Sequence, residues 1–447
     1  MSAKKHLFYL VTLGFILFTA GISAEEPVRW AQWRGEHHDA VSQEIGLPTS
    51  WNEKTGENIL WVKPIPPWGL STPVTWGEKM FFTSQTEDKT LMLVCLNRLT
   101  GDEIWRRSVG VSDYEPRELD YDAPRVGETR TRQLLHFEHN QASPSCVTDG
   151  ERVICHFGNG DLAAFDMDGK PLWKRNLQEM YGVFTICWGH ANSPTLFENL
   201  VIVPVLQDPC MGLGERDVDS YLVAFHKKTG EVAWRTLRNT GVDYKLSDAY
   251  ISMPIREVAG RPQMLAVAGL CADAYDPRTG ERLWWYQDEI GDRNVAGPVF
   301  AGELGIFIRG LRQGIVALPL TKTGELTEED VAWEYGRNCP DASTPTFYDG
   351  KLFMVTNDGI AQCLTAETGE VLWAKRLQEN HRACPVVADG KVFFVNVRGR
   401  AVVMAASGEE KELGEGQVED VIYAAPVIVD GKIYLRGREK MYCIGNR

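Results

Sequence analysis

A chain of 447 residues with 44% hydrophobic and 24% charged residues is ordinary globular material, which excludes disorder. Its length exceeds that of a usual single domain unless a repeat carries one fold further. A formal charge of −14 excludes nucleic acid as a partner, since phosphate binding needs a basic face, and the acidic excess reads as a solvated surface.

The chain opens with Lys4-Lys5, an apolar run from Leu7 to Ala20, and the small residues Gly21, Ser23 and Ala24. This predicts a signal peptide over residues 1–24 and a single exported domain over 25–447, periplasmic or extracellular. The run is short for a membrane span and no second one follows, so no stable membrane insertion is expected after cleavage. Ile22 is an imperfect residue for the cleavage signal, so retention of the run as an anchor stays open. No Cys stands near the cleavage point to carry a lipid.

A hairpin signature then recurs: a small residue, a Thr-Gly turn, a charged residue and a Trp. Cys95 to Trp105, Ala224 to Trp234, Ala274 to Trp284 and Cys363 to Trp373 keep one spacing. Ala164 to Trp173 is one residue shorter, and Ala317 to Trp333 carries an insertion after Gly324. Glycine supplies the positive φ of the turn, and alternating apolar residues mark two half-buried strands. The Trp is expected to end the outer strand and to dock on the neighbouring unit. Cys95, Cys363 and Cys443 stand where other repeats have Ala and read as small buried residues, whereas Cys146 and Cys155 could pair across adjacent strands. No CxxC spacing supports zinc.

Each hairpin follows a proline that opens an apolar strand: Pro73, Pro144, Pro194, Pro254, Pro298, Pro345, Pro385 and Pro426. The compact repeats run roughly 40 residues, room for four strands of about five residues. Asp149-Gly150, Asp349-Gly350, Asp389-Gly390 and Asp430-Gly431 mark the first turn. The expected fold is therefore all-β, an eight-bladed β-propeller of four-stranded antiparallel blades. The last repeat stops at Cys443 without a Trp strand, and Thr55 to Trp61 supplies one ahead of the first proline, so an N-terminal strand completes the last blade and closes the ring. In the seventh repeat Leu413 is the nearest substitute for the missing Trp, which weakens one docking contact.

Two insertions interrupt this regularity, Gly110 to Gln141 and Asp208 to Ser220. The first carries Asp120-Tyr121-Asp122 and Arg130-Thr131-Arg132. Long loops on a rigid scaffold carry recognition or cover a site.

The hairpin with its Trp resembles the tryptophan-docking repeat of the pyrroloquinoline-quinone (PQQ) propeller superfamily over nearly the whole mature chain. Trp33-Arg34-Gly35, Gly46-Leu47-Pro48 and Trp51 resemble the leader of exported propellers of that kind with no assigned activity. The resemblance implies either a calcium-dependent quinoprotein dehydrogenase, with PQQ over calcium at the axis, or a non-catalytic scaffold such as the outer-membrane assembly lipoprotein, which presents loops to partner proteins.

Segments before each Pro-led strand should meet around the axis of one face, which gathers Trp68, His139 to Gln141, His190, Tyr250, Asn294, His381 and Tyr423. Loops at Arg312, Gln313, Asn357, Asp358 and Arg398 share that face. For a quinone over calcium, Asn192, Asp248 and Asp341 could give oxygens, Trp188 a plane, and Arg293 or Arg382 cationic donors. None has a diagnostic spacing, and the vicinal Cys pair and the haem sequence CxxCH are absent. His37-His38-Asp39 and His136 with His139 could suggest metal, but adjacent histidines in a leader loop are expected to be exposed, and His136 with His139 lies in the long charged insertion. The sequence therefore favours a monomeric exported module that binds a protein or glycan partner on its axial face, with no catalysis, metal or cofactor of its own; the PQQ dehydrogenase is the alternative.

Overall fold

The computed structural model describes residues 28–446 apart from 67, 113–132, 134, 208–218 and 243. The expected signal peptide, both acidic and arginine-rich clusters of the first insertion, and most of the second lie outside the described residues. Among the described residues no helix is long and apolar enough to cross a membrane.

Eight antiparallel sheets follow one another round an axis, each with four propeller strands. Their innermost strands are Val74–Trp76, Val147–Thr148, Thr195–Phe197, Ile255–Val258, Val299–Ala301, Thr346–Tyr348, Val386–Ala388 and Val427–Val429, in blades 1 to 8. Each follows its proline, which lacks an N–H and so belongs at the head of a strand. Asp349, Asp389 and Asp430 share a positive φ with the glycine that follows, the tight turn whose twist matches its flanking strands. At Asp149-Gly150 only the glycine does so, because Asp149 Oδ1 accepts the N–H groups of Glu151 and Arg152 and builds the turn from its side chain.

The docking role of the Trp holds blade by blade. Indole N–H groups donate to a carbonyl in the next blade's outer turn: Trp105 to Met167 at 3.2 Å, Trp173 to Lys227 at 3.0 Å, Trp234 to Pro277 at 3.2 Å, Trp333 to Ala366 at 3.0 Å and Trp373 to Ser407 at 3.2 Å. Trp284 reaches blade 5 through a relay, donating to Gln263 Oε1 at 2.8 Å while Gln263 Nε2 donates to the Leu320 carbonyl at 2.7 Å. The insertion in the fifth repeat adds a strand, Gly324–Leu326, to the outer edge of blade 4 beside this relay, in parallel with Arg282–Gln287.

The Trp does not end the outer strand. Trp105 is third in Glu103–Val111 and Trp234 third in Val232–Leu237, and the strand runs on to the upper face. What fixes the Trp is its cross-strand partner: Cys95 faces Trp105, Ala164 faces Trp173, Ala224 faces Trp234, Ala274 faces Trp284, Ala317 faces Trp333 and Cys363 faces Trp373. A small side chain opposite the indole leaves room for the ring, which is why Ala and Cys alternate there. Ala224→Leu is expected to cost about 1–3 kcal/mol by overpacking against Trp234. Equilibrium urea unfolding checks it, and an unchanged midpoint contradicts the pairing.

Closure is as the sequence predicts. Ile59–Pro64 pairs antiparallel with Lys440–Ile444, and Trp61 faces Cys443. Cys146 and Cys155, whose pairing the sequence left open, are both free thiols buried in the apolar cluster between blades 1 and 2, where they pack as small side chains. Burial pushes the Cys146 thiol up to about 12.

The leader does more than precede the ring. Arg29–Trp30 adds to the inner edge of blade 1, and the next residues cross the lower mouth of the channel. Ala31 accepts from Thr148 N at 2.8 Å, Gln32 Oε1 from Leu196 N at 2.9 Å, and Leu47 N donates to Asp389 Oδ2 at 2.9 Å. Arg34, buried, donates to the carbonyls of Thr344 at 3.0 Å and Pro345 at 2.6 Å across the channel in blade 6. Trp51–Asn52 then pairs in parallel with the outer strand of blade 7 at Gly416. A side chain at Gly416 would run into the Trp51 ring, so a leader Trp covers the edge where the blade lacks its own. Leu413 packs beside it but does not replace it.

Candidate axial binding face

The upper ends of the innermost strands are laced together by residues flanking the prolines. Thr72 N donates to Ser145 Oγ and Ser145 N to Ser193 Oγ, both at 2.9 Å; Tyr250 N donates to the Asn294 carbonyl at 2.8 Å and Ala296 N to that of Asp341 at 3.0 Å. Ser343 Oγ reaches the Ala383 carbonyl at 3.0 Å, and Ala425 N reaches Thr72 Oγ1 at 3.3 Å from blade 8. Sequence reading picked out the prolines and passed over these hydroxyls. Their signal was present, a Ser or Thr within two residues of most of the eight prolines.

The six residues named for a quinone site come from blades 3 to 7, and most are engaged with neighbours. Asn192, buried, uses Nδ2 to bridge the carbonyls of Ala249 and Ile251, both at 2.9 Å. Asp248, also buried, accepts from Cys187 N at 2.9 Å. Arg293 lies 3.4 Å from Asp341, whose other oxygen accepts from Asn357 at 3.3 Å. Arg382 pairs at 2.9 Å with Glu138. Trp188 has a positive φ of 78° and meets the His136 ring edge-on at 4.8 Å. Arg293 and Asp341 are thus brought together, while Arg382 is turned to a partner that sequence reading missed. Among the described residues no three His, Cys, Asp or Glu side chains converge as a metal site.

Glu138 belongs to the described end of the first insertion, which lies across this face. Gln133 accepts from His190 N at 2.7 Å and donates to the Gly158 carbonyl at 2.5 Å, and His136 N donates to the Trp188 carbonyl at 3.1 Å. His139 Nε2 meets that same carbonyl. At the far side Arg438 stacks 4.2 Å over the Trp68 ring. Of the two leader histidines expected to be exposed, His37 is exposed and His38 is buried at the lower mouth, because the leader folds back onto the channel; His136 and His139 of the insertion are partly buried.

Burial also sets a pH limit. His156 and His381 are buried, and desolvation of the charged form pulls each down to about 4 from an ordinary 6.5. The unfolded chain binds more protons than the folded one below 6.5, so their contribution is complete above that pH and is lost as pH falls toward 4. Unfolding free energy is expected to drop between pH 6.5 and 5, by up to about 1.4 kcal/mol per pH unit for each such histidine. Urea unfolding at four pH values checks it, and a flat profile over that range contradicts the burial.

The chain matches a family model described as outer membrane protein assembly factor BamB over residues 40–180, 92–344 and 331–411. Outer membrane protein assembly factor BamB of Shewanella oneidensis is 23% identical over 162 residues, 35% of this chain and 38% of that relative, so the match spans well under half of the relative's length. Among solved structures, quinohemoprotein alcohol dehydrogenase from Comamonas testosteroni superposes with a TM-score of 0.64 at 14% identity, covering 94% of this chain and 81% of that one. A europium-containing methanol dehydrogenase gives 0.63 at 13% identity over 92% and 89%. BamB from Moraxella catarrhalis gives 0.58 at 10% identity over 86% and 98%. These identities establish a shared fold and leave activity to the site. With matched segments that run from residue 40 to residue 411 and eight four-stranded blades, the chain belongs to the PQQ-repeat propeller family whose model carries the description outer membrane protein assembly factor BamB.

Proposed function

We propose that this chain is an exported, non-catalytic binding module that offers its upper axial face to a protein partner, as a monomer in the periplasm or outside the cell and without a cofactor. The observation that carries the reading is the division of labour on that face. Near the axis Arg293 is paired with Asp341 and Arg382 with Glu138, while the rim exposes Val111, Phe137, Val183, Leu237 and Ile290. Apolar side chains beside paired charges suit a protein surface better than a glycan. The Shewanella oneidensis relative, an outer membrane protein assembly factor, points the same way.

The second reading is the calcium-dependent PQQ dehydrogenase, favoured by the fold it shares with the alcohol and methanol dehydrogenases. Such a site requires several oxygen ligands at one point and open cationic donors. Asp341 is held by Arg293 and Asn357, and Arg382 by Glu138, so these residues as arranged do not fit the group. Equilibrium dialysis of the full chain with calcium and PQQ is expected to show no stoichiometric retention; a one-to-one complex overturns the reading. A photo-crosslinking residue in place of Phe137 is expected to trap a partner in cells, whereas one in place of Leu99 on the lower face does not.

A further inference from the structure

The upper rim is not uniform. Among the described residues its exposed large apolar side chains stop at blade 5, whereas blades 6 to 8 expose Glu379, Arg398, Arg438 and Glu439 there. Two of the apolar residues stand on adjoining loops at the junction of blades 4 and 5. Ile290, 47% exposed, lies on the loop that leaves Arg282–Gln287, and Leu311, 39% exposed, on the loop that follows Leu304–Ile308. A shallow cleft of about 20 Å3 opens at this junction, with half-buried Leu270, Gly291 and Asp292 beside Ile290 on its wall. It has room for the tip of one side chain.

The loop that carries Ile290 is pinned on both sides. Asp288 N donates to the Leu270 carbonyl at 2.7 Å, Asp292 N to that of Arg309 at 2.9 Å, and Asn294 Nδ2 to that of Ile308 at 2.5 Å. A partner would therefore meet this surface already in place and would not have to order it. Apolar side chains held in water and rimmed by polar ones mark an interaction surface.

The partner's chemistry follows from the charges around the cleft. Asp288, Glu289, Asp292 and Glu334 supply four carboxylates, and Arg309 is the guanidinium among them, bonded to Asp288 at 2.6 Å and to Glu334 at 2.5 Å. Of the neighbouring cations, Arg293 is paired with Asp341 and Arg312 with Asp358. Exposed Glu289 and half-buried Asp292 have no ion pair among the described residues, and even with exposed Arg337 counted the junction stays acidic. An acidic or phosphorylated partner is repelled here. A metal ion lacks a ligand set, since among the described residues no three metal-binding side chains converge. A lysine or arginine meets both demands, because its methylene stem covers apolar surface while its head reaches a carboxylate. Resting on the protein-partner reading above, we infer that the blade 4–5 junction docks a basic, apolar-flanked segment of that partner, with a Lys or Arg laid across Leu270 and Ile290 toward Glu289 and Asp292.

The test places a photo-crosslinking residue at Ile290 of the full chain in cells and sequences the trapped peptide by mass spectrometry. The partner caught at Phe137 is expected there too, through a segment in which Lys or Arg stands beside apolar residues. A synthetic copy of that segment, labelled with fluorescein, is expected to bind the purified chain at least tenfold more weakly in Glu289→Lys and in Ile290→Asp, and as before in Glu439→Lys on the blade 8 rim. Added salt is expected to weaken the wild-type complex, a readout that holds even where a variant misfolds. An acidic or wholly polar segment, a second copy of this chain, a lipid or a glycan at Ile290 would overturn the inference, as would equal binding by Glu289→Lys or an affinity indifferent to salt. A partner trapped at Phe137 and not at Ile290 removes this site and leaves the proposed function standing; no partner at either position removes both.

Discussion

Arg34→Met is expected to lower the unfolding free energy by about 1–3 kcal/mol, the penalty for leaving a buried acceptor without its donor. Arg34 donates to the carbonyls of His38, Asp39, Thr344 and Pro345, at 3.2, 3.2, 3.0 and 2.6 Å. It is the leader's hold on blade 6, at the far side of the channel from the blade 1 edge where the leader starts. Burial pulls the guanidinium below its ordinary value, which marks how completely water is excluded around it. A methionine fills part of the space and leaves those carbonyls without their donor. Arg256→Met is the control, because Arg256 and Asp39 form a partly exposed pair at 3.1 Å whose loss is worth about 1 kcal/mol or less. Urea unfolding of both variants, with proteolysis of the leader as a second readout, decides the matter. Equal midpoints for the two would mean that Arg34 does not anchor the leader.

The second large effect lies at Trp284. Its ring is fully buried, faces Ala274 across the strand pair, and meets Phe307 of blade 5 edge-on at 5.8 Å. Trp284→Ala is expected to cost about 3–5 kcal/mol, from lost transfer energy plus the cavity left where the ring stood. It also strands the Gln263 relay to Leu320, so the junction between blades 4 and 5 loses its polar tie with its packing. Trp234→Ala should cost less, because that ring is only partly buried and its indole makes a single direct bond to Pro277. Side-by-side unfolding of the two variants checks the order. A propeller in which blades are coupled to nearest neighbours should also unfold less cooperatively once one junction is loosened.

The repeat was legible because its causes are local. Proline lacks an N–H, glycine allows the turn, and an indole needs a small residue opposite, so each blade carries its own evidence within about 40 residues. The Cys95, Cys363 and Cys443 positions were readable for that reason, whereas the state of Cys146 and Cys155 was not, because closeness in sequence says nothing of whether two thiols in a packed interior bond. The Trp was assigned its partner correctly and its place in the strand wrongly, since the register depends on a bulge beside the small residue.

By itself the sequence determined the eight blades, their four-stranded make-up, the Trp glue and the strand that closes the ring. Only the tertiary structure decided what becomes of the two ends of the channel. Arg34 finds its carbonyls 310 and 311 positions away, and Arg382 finds Glu138 at a separation of 244. Such pairings have no period and no local signature, because they arise only after closure brings the leader under the blades and the described end of the insertion over them. Whether a polar residue on the ring is an open ligand or a satisfied neighbour is settled by those distant partners.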